Sequence, residues 1–393
     1  MKKIEKKIIN FIEKNIDWIC IGAVTVIRLM ICFYVRKYES GDFNADLLPW
    51  FVEIKTDGGI RALEHQVGNY NIPYQILIAL LTYLPFKELY LYKGLSIIFD
   101  YLIAAGCGIL VCTLKKSRSV ELFAGVYTGV LFIPTTILDS AVWAQCIYCF
   151  FIVMSLWCLY REKWSASFLL LGAAFAFKLQ TIFIFPFLVA YYLLRKKFTI
   201  LYFIESFGMW YLMCLPAVIM GRHWLDPNKV YFQQTEAHGY MWLNFPSFWI
   251  LIGDDYDMLK KAAIFTTIAV LGAAVCYMLY IKMDLQSPTK FLSAAAWMAW
   301  SCILFLPAMH ERYSYLIDIL LLLLVFMDKQ YTLVFVIEII SSILRYKYYL
   351  FNGAEVSEWQ AVVYLAAWIL LTWQLFAKKK GQSSIGIAEK SVG

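Results

Sequence analysis

Charged residues are scarce in this sequence. Only 16% of its 393 residues are Asp, Glu, Lys or Arg, whereas 62% are hydrophobic and 18% are aromatic. So few charges cannot cover a water-soluble globule of this size, which excludes a soluble enzyme and leaves no room for a soluble second domain. Apolar runs of roughly 15 to 25 residues recur from end to end, and in lipid such segments satisfy their backbone as helices. The composition predicts an all-α, polytopic membrane helix bundle.

Several motifs are missing as well. The chain has no GxGxxG or GxxxxGK[ST] loop, so it shows no cradle for a soluble sugar nucleotide. Its ten cysteines lie mostly inside apolar segments without CxxC…CxxC spacing, which favours core packing over zinc binding or disulfides. No repeat of about 20 to 50 residues is evident.

Basic residues cluster in short linkers, which the positive-inside rule places in the cytoplasm. These clusters are Lys2 to Lys14, Lys115 to Arg118, Arg161 to Lys163, Arg195 to Lys197, Lys282 to Lys290, Lys329, and Lys378 to Lys380. With all of them on one side, about twelve spans follow: 17–37, 88–114, 119–137, 147–160, 165–179, 181–194, 198–220, 262–281, 291–309, 313–327, 331–345 and 359–377. Both termini then lie in the cytoplasm, with an interfacial helix before Asn15 and a tail at 378–393. The net charge of +7 comes mostly from these linkers, so it does not indicate nucleic acid binding.

This topology requires that the apolar stretch 72–86 does not cross the membrane, because a crossing there would place the Lys115 cluster outside. At about 14 residues the stretch is short for a span, and it is interpreted as a re-entrant or interfacial helix. The spans 165–179 and 181–194 are also short, with a break at 178–180.

The polar segments without basic clusters all fall on the predicted exoplasmic side. Two of them, 38–87 and 221–261, are much longer than ordinary connections, which is typical of functional loops. Chemistry is therefore expected outside the membrane.

Two carboxylates stand early in the first of these loops, Asp42 and Asp46. They share one face if a helix starts near Gly41, and partial desolvation at the membrane boundary would raise the basicity of a carboxylate toward the working pH. Either could then act as a general base. The alternative is that they belong to an ordinary solvated loop.

Between two predicted spans the sequence reads Met-His-Glu-Arg-Tyr at 309–313. His310 and the planar fork of Arg312 can hold an anionic phosphate, with Glu311 orienting either of them. The alternative is a set of interfacial anchors, with Tyr313 in the aromatic belt and Arg312 reaching to the membrane surface.

Two further polar segments lie at predicted outer span ends, Asp139 to Gln145 and Phe177 to Gln180. Lys178 sits between two apolar segments, where an unpaired ammonium is costly, so it requires an anion. A carboxylate of the protein would make it structural, and a lipid-linked phosphate would make it functional.

The order of these motifs resembles bacterial polytopic glycosyltransferases of the GT-C superfamily, which in turn look like eukaryotic dolichyl-phosphate-glucose and dolichyl-phosphate-mannose transferases. The motifs are Gly-Asp-aromatic, Pro-Trp, Gly-Gly, Asn-Tyr-x-x-Pro-Tyr, Trp-x-Gln, Phe-Lys-Leu-Gln and Met-His-Glu-Arg-Tyr, spread over about residues 17–320. The resemblance implies one transmembrane glycosyltransferase domain over 1–377, membrane-parallel helices in the catalytic loop 38–87, and Asp42 as the base. Relatives often carry an acid just after Trp-Gly-Gln. Here Gln145 is followed by Cys146, so that acid is absent or supplied by Asp139 or Asp46.

The implied reaction is one inverting displacement. A hexose would pass from a polyprenyl-phosphate donor to a lipid-linked or cell-surface glycan, in the plasma membrane of a bacterium if the bacterial resemblance applies. The donor phosphate would meet Arg312, His310 and Lys178; the supporting residues are Glu311, Gln145, Gln180, Trp143 and Tyr313; the sugar-stacking residues are Trp50, Tyr70 and Tyr74. No cofactor is required. A divalent metal at Asp42 and Asp46 is possible but not expected, because two carboxylates supply too few ligands.

Two other classes compete with this interpretation. A secondary transporter or lipid flippase would suit the number of spans but usually shows repeats and midplane ionisable groups. A non-catalytic scaffold explains the topology but not the combined polar clusters. Arg28 and Asp100 lie inside the first two spans at depths that differ by about 4 to 5 Å, so they are predicted to form a structural ion pair. A proton relay instead would also need Asp318 and Glu338.

Overall fold

The computed structural model describes residues 3–142, 145–236, 239–351 and 355–377, and within these ranges the fold is almost entirely helical. The α-helices are α1 Lys3–Tyr34, α2 Leu48–Thr56, α3 Ile72–Leu81, α4 Glu88–Leu114, α5 Val120–Phe132, α6 Pro134–Val142, α7 Gln145–Tyr160, α8 Trp164–Phe177, α9 Phe185–Arg195, α10 Tyr202–Ile219, α11 Asp226–Glu236, α12 Tyr256–Tyr280, α13 Pro288–Phe305, α14 Tyr315–Met327, α15 Thr332–Phe351 and α16 Glu358–Phe376. A π-helix spans Phe43–Leu47, and 3-10 helices span Gly59–Glu64, Leu179–Ile184, Phe248–Leu251 and Lys329–Tyr331.

Five helices in the described residues are long and apolar enough to cross a membrane: α1, α4, α10, α12 and α16. Several shorter apolar helices accompany them, among them α5, α7, α8 and α14. Large apolar side chains lie exposed on the outer helices, including Met30 on α1 and Phe265 on α12. An apolar exterior of this kind is expected where lipid is the solvent.

The observed helices modify three of the predicted segments. The interfacial helix and the first span form one helix, α1, which kinks at Asn15. The predicted span 119–137 is interrupted at Ile133, because Pro134 disfavours a helical conformation in the residue before it. Helix α3 ends at Leu81, so it is about 15 Å long, half the thickness of a hydrocarbon core.

Helix α13 forms the centre of the bundle, with every residue from Phe291 to Phe305 buried. Helices α7 and α8 pack together, α4 lies against α5 and α7, and α8 lies against α10. The last contact requires Gly172, because a Cβ there would lie 2.2 Å from the Ser206 carbonyl oxygen.

The two ends of the bundle differ in character. We call the end that carries Asp42, Arg222 and Arg312 the loop end, and the end that carries Lys116, Arg161 and Arg195 the basic end. Helix α4 starts at the loop end, where the Tyr92 hydroxyl donates to the Leu47 carbonyl (3.0 Å), and it runs about 40 Å toward Lys116.

Inside the bundle, Arg28 on α1 and Asp100 on α4 form an ion pair. Arg28 Nη2 lies 3.0 Å from Asp100 Oδ2, and both side chains are only 1% exposed. Arg28 also donates to the Thr136 carbonyl at 3.2 Å and to Cys32 Sγ at 3.1 Å. The pair therefore ties α1, α4 and α6 together.

Candidate active site

An ion pair between the first loop and the segment 309–313 forms the centre of the loop end. Arg312 Nη1 donates to Asp42 Oδ2, although 270 positions separate the two residues in sequence. Both side chains are mostly buried, at 13% and 19% exposure. Asp42 precedes the π-helix Phe43–Leu47, and its backbone is already helical. The carboxylate of the first-loop motif and the arginine of the motif at 309–313 thus form one site.

Asp46 lies one turn along the same π-helix, half-buried. Burial raises the pKa of its carboxyl, the charge of Asp42 raises it further, and the charge of Arg312 opposes both. Asp42, Asp46 and Arg312 therefore form one electrostatic group. The charges of Asp42 and Asp46 interact as the sequence spacing suggests, but the segment that leads from one to the other is a π-helix rather than an α-helix.

The raised pKa makes a stability prediction for Asp46→Asn. Because the folded state binds the Asp46 proton more tightly than the unfolded chain does, ionising Asp46 costs stability once the pH rises above the unfolded value of about 3.9. We expect Asp46→Asn to raise the unfolding temperature at pH 7 to 8 and to leave it unchanged near pH 4. Thermal unfolding across this range measures it, with exposed Asp254→Asn as the control. A gain that shrinks as the pH rises would contradict the prediction.

His310 and Glu311 flank the arginine. Glu311 is 5% exposed, with Oε2 lying 3.8 Å from His310 Nδ1 and Oε1 lying 3.5 Å from Arg312 Nε. Burial alone would raise the pKa of Glu311, but the hydrogen bond from His310 and the charge of Arg312 outweigh it, so the pKa lies below its usual value. Glu311 is thus an anion that lies between the side chains of His310 and Arg312.

Lys178 joins this group through Tyr70. The ammonium nitrogen lies 5.4 Å from the centre of the Tyr70 ring and 6.0 Å from that of Tyr148, and the side chain is 8% exposed. Tyr70 in turn lies within electrostatic reach of Asp42 and Arg312. The extended backbone of Lys178, between α8 and the 3-10 helix Leu179–Ile184, turns its side chain away from the helical register. Gln180, two residues further on, is also buried.

The aromatic residues of the first loop need a correction. Tyr70 contacts Trp50 and Tyr74 edge-to-face, with ring centres 5.6 and 5.0 Å apart. Trp50 and Tyr74 are buried, at 8% and 2% exposure, so they support Tyr70 instead of offering an open face to a sugar. Trp50 packs on Gly68, where a Cβ would lie 2.4 Å from the indole. Only Tyr70 keeps partial exposure among the three.

Some predicted residues fall outside this description. Trp143 and the tail 378–393 lie outside the described residues. Gln145 begins α7 and Asp139 lies in α6, but the described part of the chain does not include their side chains.

Arg222 stabilises the first loop, although no motif in the sequence marks it. It is 5% exposed and donates to the Leu63 carbonyl (2.6 Å), to Gln66 Oε1 (2.7 Å), to the His65 carbonyl and to Gln75 Oε1. Burial lowers its pKa to about 10, so it stays charged at neutral pH. No sequence pattern predicts this contact, because backbone carbonyls occur at every position and Arg222 lies far along the chain from the loop that it binds.

A second pairing connects the loop 221–261 to the segment 309–313. Trp242 and Leu243 form a short parallel strand pair with Met309 and His310, and Ala308 N–H donates to the Met241 carbonyl at 2.9 Å. This strand pair fixes the backbone next to Arg312.

A buried polar network supports the same segment from within the bundle. Arg345 Nη2 lies 3.0 Å from Glu338 Oε1, and Ser342 Oγ donates to Asp318 at 3.0 Å. Arg345 Nε also donates to the Glu311 carbonyl at 3.1 Å. Asp318 and Glu338 therefore assemble with Arg345 behind the segment 309–313, and the network holds the backbone that carries Arg312.

One group in the described residues brings three side chains with metal-binding chemistry close together: Glu53, Asp57 and His65. All three are exposed, with His65 Nε2 lying 3.4 Å from Glu53 and 3.3 Å from Asp57. Asp42 and Asp46 do not belong to this group.

No protein-family model matches the chain, and no curated protein matches it. The chemistry of the loop end must therefore be argued from its geometry.

Proposed function

We propose that this chain is a polytopic membrane glycosyltransferase that moves a hexose from a polyprenyl-phosphate donor to a glycan acceptor. The observation that carries the proposal is the pairing of Asp42 with Arg312. It joins a candidate base to a candidate phosphate ligand at a half-buried point, with Asp46, Tyr70 and Lys178 around it. A soluble nucleotide donor would need a phosphate cradle that the sequence lacks.

In this proposal the donor phosphate exchanges partners with Asp42. Arg312 offers a planar fork of N–H donors, which suits a phosphate as well as a carboxylate. When the phosphate takes the guanidinium, the Asp42 carboxylate is released beside the anomeric carbon. Before the donor binds, the candidate base Asp42 is thus paired with Arg312 and inactive.

The transfer step then balances without a cofactor. Asp42 takes the proton of the acceptor hydroxyl, whose oxygen forms a bond to the anomeric carbon as the bond from that carbon to the phosphate oxygen breaks. The bonding electrons leave with polyprenyl phosphate. Arg312, His310 and Lys178 stabilise the charge that the phosphate gains, which typically supplies a few kcal/mol per donor.

We also propose the membrane arrangement. The chain would cross the membrane twelve times, with the loop end on the exoplasmic side and the basic end in the cytoplasm. The positions of the basic linkers and the direction of α4 support this arrangement. Helix α3 is too short to cross and would lie along the membrane surface.

The deciding experiment is a transfer assay. Purified protein in nanodiscs is given synthetic polyprenyl-phosphate glucose or mannose with a lipid-linked acceptor, and release of polyprenyl phosphate is measured. Release that depends on the acceptor is expected. Absence of release with both sugars and several lipid-linked acceptors would count against the proposal.

The arginine and the lysine make a second test of the same site. We expect Arg312→Ala to weaken donor binding by about 10- to 100-fold, because it removes charge-assisted hydrogen bonds from both ground and transition states. Lys178→Ala should act in the same direction and more mildly. Binding of a polyprenyl-phosphate sugar measures both, with exposed Arg61→Ala as the control. Unchanged affinity in both variants would remove these residues from the phosphate site.

The network of Asp318, Glu338 and Arg345 favours one second candidate, a proton-coupled transporter. It brings two buried carboxylates, Asp318 and Glu338, to one serine, Ser342, between α14 and α15, with Arg345 paired to Glu338. Uptake of a sugar or glycolipid into proteoliposomes driven by a pH gradient, together with absence of transfer, would support this candidate instead.

A further inference from the structure

Cationic side chains converge on a cavity at the basic end. The cavity has a volume of about 370 Å³, and its lining includes Lys116 from the α4–α5 connection, Arg161 from the α7–α8 turn and Arg195 at the end of α9. Tyr160, Tyr191, Gln286 and the single carboxylate Glu162 complete the lining. Three cations thus face one anion, and the local charge balance favours an anionic ligand.

Arg195 is a largely buried cation of this cavity, and its position is fixed by an ion pair. Its side chain is 8% exposed, and Nη2 lies 2.6 Å from Glu162 Oε1. That same oxygen also accepts from Lys197 Nζ at 3.0 Å. Arg195 Nε is buried and has no hydrogen-bond partner among the described residues. The ion pair with Glu162 therefore holds a largely buried guanidinium at the wall of the cavity.

The backbone holds the cavity walls in place. Lys116 and Glu162 both adopt left-handed conformations, with φ of 51° and 58°, each closing a tight turn after a helix. The Tyr160 hydroxyl donates to the Gln286 carbonyl at 3.2 Å and joins the α12–α13 connection to the α7–α8 turn. The cations are therefore presented by closed turns.

A second cavity adjoins the first at Lys116. Its volume is about 540 Å³, and Trp18 on α1, Ile109 on α4 and Phe123 on α5 give it a largely apolar surface, although Lys116 and Arg118 also line it. Trp18 is 60% exposed, as expected of an aromatic residue at a membrane interface. Lys116 thus stands between a polar cationic space and an apolar one.

We propose that the basic end binds one anionic phospholipid. Its phosphate would lie among Lys116, Arg161 and Arg195 and balance their charge, and one acyl chain would enter the second cavity beside Trp18. Basic pockets between helices on the cytoplasmic side suit such headgroups, because that leaflet carries anionic lipids. The proposal needs the membrane orientation given above but does not need glycosyl transfer.

The experiment compares lipid retention by full-length protein. Purified chain is delipidated, offered phosphatidylglycerol or phosphatidylcholine in neutral detergent, and examined by native mass spectrometry and thermal unfolding. We expect one phosphatidylglycerol to be retained and to raise the unfolding temperature, with phosphatidylcholine doing neither. Inorganic phosphate at millimolar concentration forms a third arm. Equal stabilisation by phosphate alone would replace the lipid site with a free-anion site and overturn the proposal.

Matched variants locate the site. Arg161→Gln combined with Lys116→Gln leaves the Arg195 to Glu162 ion pair intact, so the turns should still fold. We expect this pair of changes to lower phosphatidylglycerol affinity about tenfold. Lys329→Gln removes an exposed cation outside the cavity lining and should change nothing. Equal retention of both lipids by wild type, or unchanged affinity in the double variant, would overturn the proposal, and neither readout depends on transferase activity.

Discussion

Asp42→Asn is expected to lower glycosyl transfer by about 10²- to 10⁴-fold, the range typical for loss of a general base. The amide keeps the shape of the side chain but cannot take the acceptor proton. Donor binding should be retained, because Asp42 competes with the donor phosphate for Arg312 and the neutral amide competes less. Folding should also be retained, since Arg312 keeps Glu311 at 3.5 Å as a second anionic partner.

Turnover and donor affinity must be measured separately for this variant. Polyprenyl phosphate release reports turnover, and equilibrium binding of the labelled donor reports affinity. Asp46→Asn, four residues further along the same loop, is the matched control, and its loss of activity should be smaller. An inactive Asp46→Asn beside an Asp42→Asn that keeps most of its activity would show that the base is Asp46.

Hydrophobic runs and linker charges predict much of the fold, because in a membrane protein they specify where helices begin and end. The break at Lys178 and the short helix α3 both appear where an apolar run is too short for a span. The interruption at Ile133 was missed in the span prediction, although Pro134 is visible in the sequence. A hydropathy average over a window is not changed much by one proline, whereas the helical backbone is interrupted just before it.

The candidate site is predictable only in part. Polar residues at span ends identify Asp42, Lys178 and Arg312 one at a time, and their charges indicate only that Asp42 attracts each of the two cations. Nothing in the sequence says that Arg222 reaches into the first loop or that Trp50 packs on Gly68. Such contacts depend on how the loops pack against one another in the folded bundle. A pattern along the sequence does not predict that packing.

The network behind the segment 309–313 illustrates the same limit. Asp318 and Glu338 stand out as charges inside apolar helices, which is why they could be named as relay candidates. The structure instead gives both of them Ser342 as a partner and gives Glu338 Arg345, and that arginine also donates to the Glu311 carbonyl. Whether such a charge relays protons or positions a loop depends on its partners. The position of a residue along a predicted span does not specify those partners.

The largest stability effects are expected at Arg28 and Asp100. Arg28→Ala or Asp100→Ala alone leaves one buried charge uncompensated, which typically costs about 3 to 5 kcal/mol. Both residues lie in helices long enough to cross a membrane, and both are 1% exposed, so water cannot take the place of the missing partner. Thermal unfolding in detergent should show a large loss for each single variant.

The coupling between the two residues is what distinguishes a pair from two separate charges. The charge-swapped variant, Arg28→Asp with Asp100→Arg, should recover part of the loss but not all of it, because an arginine on α4 no longer reaches the Thr136 carbonyl and Cys32 in the same way. Arg28→Met with Asp100→Leu removes both charges and should be more stable than either alanine variant, since an apolar pair avoids the desolvation of two ions. If both double variants lost as much stability as the two single changes added together, Arg28 and Asp100 would not be coupled.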